Sequence, residues 1–500
     1  MTMIASTGSE FFASSDPYLG VGLAPHVRAV TFDDTSGRMV LKTAFGDEPT
    51  LYDHATGWSD PRFVDLVSAW VGNHGVVVTT LCEQVGEICP ELKAEEVRQK
   101  ADQLLHELAK VQALQWWYCP DKSADVPLCH IESGSRLYYT PLVIGAVPDG
   151  AEISRFAFVQ RENGKTVLEN CEIGVRLVLG PDGGGLLPYI FDGPHHGSDR
   201  NPSDEEKLVY PGFWHFLWRF GFLQSRSLDS FERQSWEFHE RLFHARSRSF
   251  LGQRTIGATY QFKDKVPSPP AIKAPMSADK IALPRPDDYS SDAVPGHQSL
   301  YEVMDARKSI REPGARPLTL DGLGGFLWRT VATRKHIKGV ELQDLLERPV
   351  PAGGAIHEIE IYLVINRCDG LKPGIYHYQG VEHALYALPA REQVRKAILG
   401  VACNATGLGS KLPDSLIVMA SRMPRLGWKY QNLCYRLSLL NAGVMMEAFY
   451  LVATEMGLSP CATGSGDSAL FALATGLGVE HETAIGEFIL NGPPIKKSYH

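Results

Sequence analysis

The spacing of apolar residues in the first half of the chain predicts alternating strands and helices. Strand patterns occur over 27–43, 153–160 and 166–179. The last two are separated by Asn163-Gly164, a dipeptide that favours a tight hairpin because both residues tolerate a positive φ. Apolar residues recur at helical spacing over 94–114. The first half therefore repeats one plan, in which strands are followed by short helices.

The second half combines helices with a sheet. Helical spacing predicts helices over 300–310 and 320–330, and a continuous apolar run predicts a buried strand over 359–366. A hairpin pattern covers 374–388, and a long apolar helix is expected over 437–458. The predicted fold class is α+β, with helices packed on a sheet.

Proline content separates the two halves. Seven prolines fall within the 29 residues from 267 to 295, and proline removes backbone donors and favours extended geometry. We therefore predict a poorly ordered N-terminus over 1–25, winged-helix-like modules over 26–118 and 130–262, a proline-rich linker over 263–296, and a C-terminal domain over 297–500.

Composition and charge exclude several functional classes. The chain has 49 Lys and Arg against 58 Asp and Glu, a formal net charge of −9 that argues against nucleic-acid binding. The apolar stretch 437–458 contains Glu447 and Glu455, which are costly at membrane depth, so no membrane contact is expected. Nine cysteines without a Cys-x-x-Cys pair favour reduced thiols in a cytoplasmic protein. His239 and His244 are five residues apart rather than four, so no metal site is predicted.

A basic segment in the second half is a candidate anion site. Arg307, Lys308 and Arg311 surround Ser309 at the predicted end of a helix. Arg307 and Arg311 would share one helical face, and a guanidinium group suits a phosphate. The alternative is a solvated basic helix end that the helix dipole stabilises.

Two glycine-rich loops and a Lys-Tyr pair complete the candidate residues. Pro351–Ala355 contains paired glycines directly before the predicted strand over 359–366, and Gly464–Gly466 follows the long helix. Glycine lets a backbone approach a flat ligand closely, although turning loops use it more often. Lys429 and Tyr430 precede the long helix, and the alternative is an exposed lysine beside a core tyrosine.

The order of these four elements resembles the flavin-dependent nitroreductase-like superfamily. More narrowly, it is similar to the azoline oxidases of ribosomal peptide biosynthesis, of the streptolysin and cyanobactin types. The resemblance is strongest over 300–491, and a weaker similarity covers 235–262. It implies FMN bound at a homodimer interface, where both subunits contribute to each site.

The resemblance also implies a role for each matching residue. Lys429 and Tyr430 match the catalytic pair, with Tyr430 as the base and Lys429 as its activator. Many relatives have a histidine where this chain has Val444, so any role of that histidine is absent or moved. The residues implied in FMN binding are Arg307, Lys308, Ser309, Arg311, Pro351, Ala352, Gly353, Gly354, Ala355, Arg436, Gly464, Ser465 and Gly466.

By the same resemblance, the expected reaction is the FMN-dependent oxidation of thiazoline or oxazoline rings in a peptide to thiazoles or oxazoles, with oxygen as electron acceptor. The N-terminal modules would bind a leader peptide as an added strand, and a cyclodehydratase would be a partner. Three alternatives stay open: a nitro- or quinone reductase fed by NAD(P)H, an azoline oxidase acting on carrier-bound nonribosomal intermediates, and a peptide-binding scaffold without catalysis.

Overall fold

In a computed structural model, the chain divides into two units, Met1–Arg254 and Thr255–His500. Most of the predicted poorly ordered stretch 1–25 lies outside the described residues. Leu19–Leu23 nevertheless forms a fully buried strand, so that prediction is wrong for these five residues. The structure describes residues 19–24, 27–43, 52–71, 75–110, 113–119, 127–133, 146–192, 204–225, 230–248, 256–285, 298–339, 342–408 and 411–494.

The first unit contains strands and helices in the predicted alternation. Its strands are β1 (Leu19–Leu23), β2 (Val27–Asp33), β3 (Arg38–Thr43), β4 (Tyr52–Ala55), β5 (Val76–Val77), β6 (Leu114–Tyr118), β7 (Cys129–Ser133), β8 (Glu152–Ile153), β9 (Ala157–Glu162), β10 (Lys165–Asn170), β11 (Val175–Leu179) and β12 (Leu223–Gln224). Its helices are α1 (Val64–Ser68), α2 (Val78–Ile88), α3 (Ala94–Lys110), α4 (Leu187–Asp192), α5 (Asp204–Arg219), α6 (Phe231–Gln234) and α7 (Phe238–Ser247).

A seven-stranded antiparallel sheet runs through both halves of the first unit. Its strand order is β5-β1-β6-β7-β11-β10-β9, and Trp117 on β6 lies opposite His130 on β7. The two predicted modules therefore share one sheet, and their winged-helix character stays a prediction. The hairpin between β9 and β10 is confirmed, because Asn163 and Gly164 have φ values of 50° and 81°.

The second unit also combines strands with helices. Its strands are β13 (Gly257–Ala258), β14 (Lys280–Ala282), β15 (Leu318–Thr319), β16 (Lys335–Ile337), β17 (Leu345–Glu347), β18 (Ile359–Ile365), β19 (Cys368–Asp369), β20 (Gly374–Gln379), β21 (Ala384–Leu388), β22 (Ser415–Ser421), β23 (Tyr430–Gln431), β24 (Ser459–Thr463) and β25 (Thr483–Asn491). Its helices are α8 (Leu300–Ala306), α9 (Leu320–Val331), α10 (Glu392–Thr406), α11 (Met423–Lys429), α12 (Cys434–Glu455) and α13 (Ser468–Thr475).

The central sheet of the second unit has helices packed on both faces. Its order is β14-β21-β20-β18-β22-β25-β24, with antiparallel neighbours throughout. Successive side chains of a strand point to opposite faces. On β18, Ile361 and Leu363 accordingly pack with α9 and α12, whereas Tyr362 and Val364 pack with α10 and α13. Burial on both faces explains why this strand has an unbroken apolar sequence.

Helix α12 has the length and apolar composition that a membrane span requires. In the structure it lies against the central sheet, where Phe449 packs on Phe326 of α9 and Phe488 of β25 at centroid distances of 5.3 and 5.2 Å. That is the position of a core helix, as predicted for 437–458. The absence of membrane contact itself stays a prediction.

The predicted linker is part of the second unit. Strand β14 pairs with β21 at one edge of the central sheet, and residues 256–285 belong to the same compact unit as the domain that follows. Lys273 Nζ lies 2.5 Å from both Glu482 Oε2 and Tyr362 Oη. The prediction of a connector is therefore wrong for 263–285, while 286–296 lies outside the described residues.

Replacing Lys273 with methionine should destabilise the second unit by about 3–5 kcal/mol. The reason is that Glu482, with a side chain only 3% exposed, loses its cation and stays buried. Hydrogen exchange of the β22 amides measures this change in unfolding free energy. Lys280→Met is the matched control, because the exposed Lys280–Glu382 pair should contribute under about 1 kcal/mol. Equal losses in the two variants would contradict the buried pair's importance.

Candidate active site

Lys429 and Tyr430 lie where α11 ends and β23 begins. Consecutive residues within a helix do not face each other. Tyr430, however, has left the helix, with φ −105° and ψ 142°, so the two side chains can converge. A Cβ atom built on Gly354 would lie 2.5 Å from Tyr430 Oη and 3.3 Å from Lys429 Nζ. The structure therefore brings the predicted catalytic pair together with the predicted glycine loop.

The loop before β18 has an unusual backbone. Gly354, Ala355 and His357 have φ values of 62°, 55° and 48°, a left-handed conformation that costs a residue with a Cβ about 1–3 kcal/mol and persists only where its surroundings enforce it. Burial, together with the nearby charges of Arg348 and Arg425, lowers the pKa of His357 to about 3. This imidazole is therefore neutral at physiological pH.

The buried guanidinium of Arg425 holds this loop from α11. It donates to three backbone carbonyl oxygens, those of Ile356 at 3.0 Å, Pro269 at 3.1 Å and Asp344 at 2.7 Å. Burial lowers the pKa of Arg425 to about 10. One side chain on the helix that ends at Lys429 thus connects the glycine loop with the proline-rich segment.

Residues 256–260 form part of this site, and sequence reasoning missed them. Strand β13 pairs with β23, placing Ala258 opposite Tyr430, and Tyr260 N donates to Lys429 O at 3.1 Å. Lys429 Nζ lies 5.7 Å from the ring centroid of Tyr260 and 5.6 Å from that of Tyr430, within cation–π range. A two-residue strand carries no periodic signal, and the predicted second module included these residues.

The basic segment is less helical than predicted. Helix α8 ends at Ala306, and Arg307 has non-helical geometry with φ −57° and ψ 126°. The expectation that Arg307 and Arg311 share a helical face is therefore wrong. The cause is a set of tertiary contacts: Ile310 N donates to Pro460 O at 2.7 Å, and Ser309 Oγ lies 2.8 Å from Tyr450 Oη.

Tyr450 of α12 organises this second group of residues. The Arg307 guanidinium lies 5.2 Å from its ring centroid, and its hydroxyl accepts from Ala462 N at 2.8 Å. Lys308 and Arg311 are exposed, as a site for a phosphate from solvent would require. The sequence did not indicate Tyr450, which looked like one more aromatic residue of an apolar helix.

The remaining predicted residues lie in the loop after β24 and on α12. Gly464, Ser465 and Gly466 form an exposed loop after β24, and a Cβ atom on Gly466 would lie 2.0 Å from Glu487 Oε1. Arg436 is half-buried in the first turn of α12. Val444 is exposed on the same helix.

Glu487 is expected to make the stability of the second unit depend on pH. Burial raises its pKa from 4.5 to about 7, so between these values the folded chain keeps a proton that the unfolded chain loses. The contribution of Glu487 to the free energy of unfolding is thus fully present below pH 4.5. It is lost as the pH rises through 7, and the loss amounts to about 3 kcal/mol. Hydrogen exchange of β22 amides between pH 5 and 8 should show this loss in the wild type and a flatter profile in Glu487→Gln. Identical pH profiles in the wild type and Glu487→Gln would exclude this contribution of Glu487.

Comparison with known proteins shows that part of the second unit is similar to a protein family. The sequence model of the Nitroreductase family matches residues 304–489. A protein named as a nitroreductase from Methanocaldococcus jannaschii is 24% identical over 166 residues, which cover 33% of this chain and 78% of that protein. The trifolitoxin-processing protein TfxB of Rhizobium leguminosarum bv. trifolii is 26% identical over 183 residues, which cover 36% of this chain and 49% of TfxB.

Solved structures with detectable similarity include two of different kinds. A protein of Ralstonia eutropha that is named as a nitroreductase is 21% identical, with 48% of this chain and all of that chain covered and a TM-score of 0.34. A chain of the Escherichia coli microcin synthetase McbBCD complex with truncated pro-MccB17 is 18% identical, with 48% and 88% covered and a TM-score of 0.32. Nitroreductase-family proteins are oxidoreductases that commonly bind a flavin. The family match over 304–489 identifies the C-terminal part of this chain as a nitroreductase-family domain.

Proposed function

We propose that this chain binds FMN and oxidises thiazoline or oxazoline rings of a peptide to the aromatic azoles. The observation that carries the proposal is the convergence of an amine and a phenol on a backbone without a Cβ atom, at Gly354. An acid–base pair beside such a surface suits proton removal from a ring lying on a flat cofactor.

The residues present fit FMN. The Gly353-Gly354 surface, with Pro351, Ala352 and Ala355, would hold the flat ring, because a side chain at Gly354 would occupy the space next to Tyr430. The cations of Arg307, Lys308 and Arg311, with Ser309, would bind the phosphate. Arg436 and the loop Gly464–Gly466 stay assigned to the same cofactor. When bound, FMN supplies the acceptor for the hydride that leaves the former β-carbon, with oxygen as the final electron acceptor.

The protein's own contribution is proton transfer. In the proposal, Tyr430 Oη takes the proton from the former α-carbon of the ring. Tyr430 enters this step as a phenolate and leaves it as a phenol. Lys429 Nζ, 5.6 Å above the ring centroid of Tyr430, stabilises the phenolate by its charge before the proton is transferred. Tyr260 places a second aromatic face near this ammonium group and helps to orient it.

The positions along α12 support a site shared between two copies of the chain. Asn441 contacts the glycine loop and Tyr450 contacts the basic segment. Asn441 and Tyr450 are nine residues apart, which corresponds to about 14 Å along the helix and a net rotation of about half a turn. The two contacts therefore lie on opposite sides of α12. The exposed apolar residues Leu440 and Val444 on this helix suit burial against a second subunit.

A peptide substrate is supported by the similarity to TfxB, whose name states that it processes trifolitoxin. The first unit would then recognise a leader peptide, and a cyclodehydratase would supply the azoline rings. We propose that the reaction takes place in the cytoplasm. A nitro- or quinone reductase is the second candidate, because the M. jannaschii relative is named as a nitroreductase.

Absorption spectroscopy and mass spectrometry of the full chain test the proposal. The purified protein should be yellow and should remove about 2 Da per ring from an azoline peptide under air, since two hydrogens leave in the flavin step. Rapid bleaching by NADH with no change in the peptide would favour the reductase. A colourless protein that takes up no added FMN would overturn both.

A further inference from the structure

A fully buried carboxylate lies beneath the glycine loop. Glu358 is 0% exposed, and its Oε1 accepts hydrogen bonds from Ser438 Oγ at 2.8 Å and Asn441 Nδ2 at 3.0 Å. Its Oε2 lies 3.1 Å from the same Asn441 nitrogen. Neither the family match nor the proposed chemistry assigns a role to Glu358.

The hydrogen-bonding groups around Asn441 allow only one orientation of its amide. Gly353 N lies 3.0 Å from Asn441 Oδ1, and a backbone N–H can only donate. The amide oxygen must therefore face Gly353, and its NH2 group must face something that accepts. An ionised carboxylate has acceptors only, so Glu358 excludes the flipped amide, in which two donors would meet at Gly353.

The conformation of the loop explains why this orientation matters. Gly354 and Ala355, directly after Gly353, both have left-handed geometry, which the surrounding contacts must enforce. Arg425 fixes the far end of the loop through Ile356 O. Asn441 is the corresponding contact at the near end, where it accepts from Gly353 N.

We propose that Glu358 is a positioning residue that, by orienting the Asn441 amide, holds the Gly353-Gly354 backbone in place beneath Lys429 and Tyr430. This inference rests on the proposed function only for the claim that the loop contacts FMN. The effect on the loop itself follows from the hydrogen bonds of this chain alone.

A reciprocal exchange of acid and amide tests the proposal. Glu358→Gln places an NH2 donor against the Asn441 donor, and Asn441→Asp places two carboxylates against each other. The double variant Glu358→Gln/Asn441→Asp restores a donor opposite an acceptor and keeps an acceptor for Gly353 N. Glu482→Gln is the control: it removes another buried charge, one that pairs with Lys273 and Tyr362 rather than with the loop.

Two readouts separate this inference from the proposed function. Hydrogen–deuterium exchange of residues 351–357 in the full chain without added flavin should rise about tenfold in each single variant and return towards the wild-type rate in the double variant. The dissociation constant for FMN, from fluorescence titration of flavin-free protein, should follow the same pattern. Glu482→Gln should lower the melting temperature and leave both values unchanged.

The outcomes have distinct meanings. Unchanged exchange over 351–357 in Glu358→Gln would overturn the positioning role, as would a double variant no better than the single ones. A wild type that binds no FMN but shows the predicted exchange pattern would overturn the proposed function and uphold the positioning of the loop.

Discussion

Replacing Tyr430 with phenylalanine in the flavin-loaded protein should lower kcat on an azoline peptide by about 10²–10⁴-fold, the usual range for loss of a general base. The phenyl ring remains beside Gly354, so FMN content should not change. Only the oxygen next to the glycine loop is removed. Turnover per bound flavin, from mass spectrometry of the peptide and the visible spectrum of the protein, measures the effect.

Lys429→Met should also retain FMN and lose turnover, because the phenolate loses the neighbouring positive charge. The chain offers matched controls remote from the loop. Tyr386→Phe removes a phenol that bonds to Glu382, and Lys396→Met removes an exposed amine on α10. Both controls should turn over at the wild-type rate. A Tyr430→Phe enzyme with bound flavin and an unchanged rate would remove the proposed base from the mechanism.

The sequence predicted three of the seven described strands in the central sheet of the second unit, β18, β20 and β21, because their signals are local. The apolar run over 359–366 became β18, buried on both faces, and the pattern over 374–388 became the β20–β21 hairpin. The Lys429-Tyr430 pair and the glycine loop around Gly354 were also predicted, each from its own sequence signal. Their contact was not, since it depends on α11 ending at Lys429.

The linker prediction failed because composition does not reveal long-range hydrogen bonding. Prolines lack a donor but keep a carbonyl acceptor. Pro269 O accepts from Arg425, and Pro270 O accepts from Arg422. Two arginines about 150 residues further along the chain find their acceptors in the proline-rich segment. A buried guanidinium requires such partners, but the sequence does not indicate which carbonyls provide them.

The prediction that the helix continues through the basic segment failed for a related reason. Ser299 and Glu302 form a capping box that starts α8, and this local signal was present in the sequence. The end of the helix at Ala306 is set by Pro460 and Tyr450, which bond to Ile310 and Ser309. Local propensity therefore predicted where the helix begins, and tertiary contacts decided where it stops.

Gly354→Ala should lower the turnover rate by at least about 100-fold, while the chain still folds. The new methyl group would lie 2.5 Å from Tyr430 Oη, closer than van der Waals contact allows, so the phenol must move away from the loop. The left-handed backbone adds about 1–2 kcal/mol of destabilisation. Turnover, FMN affinity and hydrogen exchange of the β22 amides measure the three consequences separately.

Gly457→Ala isolates the backbone cost from the clash. Gly457 also has a positive φ, 67°, but a Cβ atom there would meet nothing within 4 Å. This variant should therefore lose about 1–2 kcal/mol of stability and keep its turnover. Gly400→Ala, with an ordinary φ and open space around its Cβ, should lose neither. If Gly354→Ala behaves like Gly457→Ala, the contact between the glycine loop and Tyr430 has no part in the reaction. A selective loss of turnover would instead mean that the space above Gly354 is where the reaction takes place.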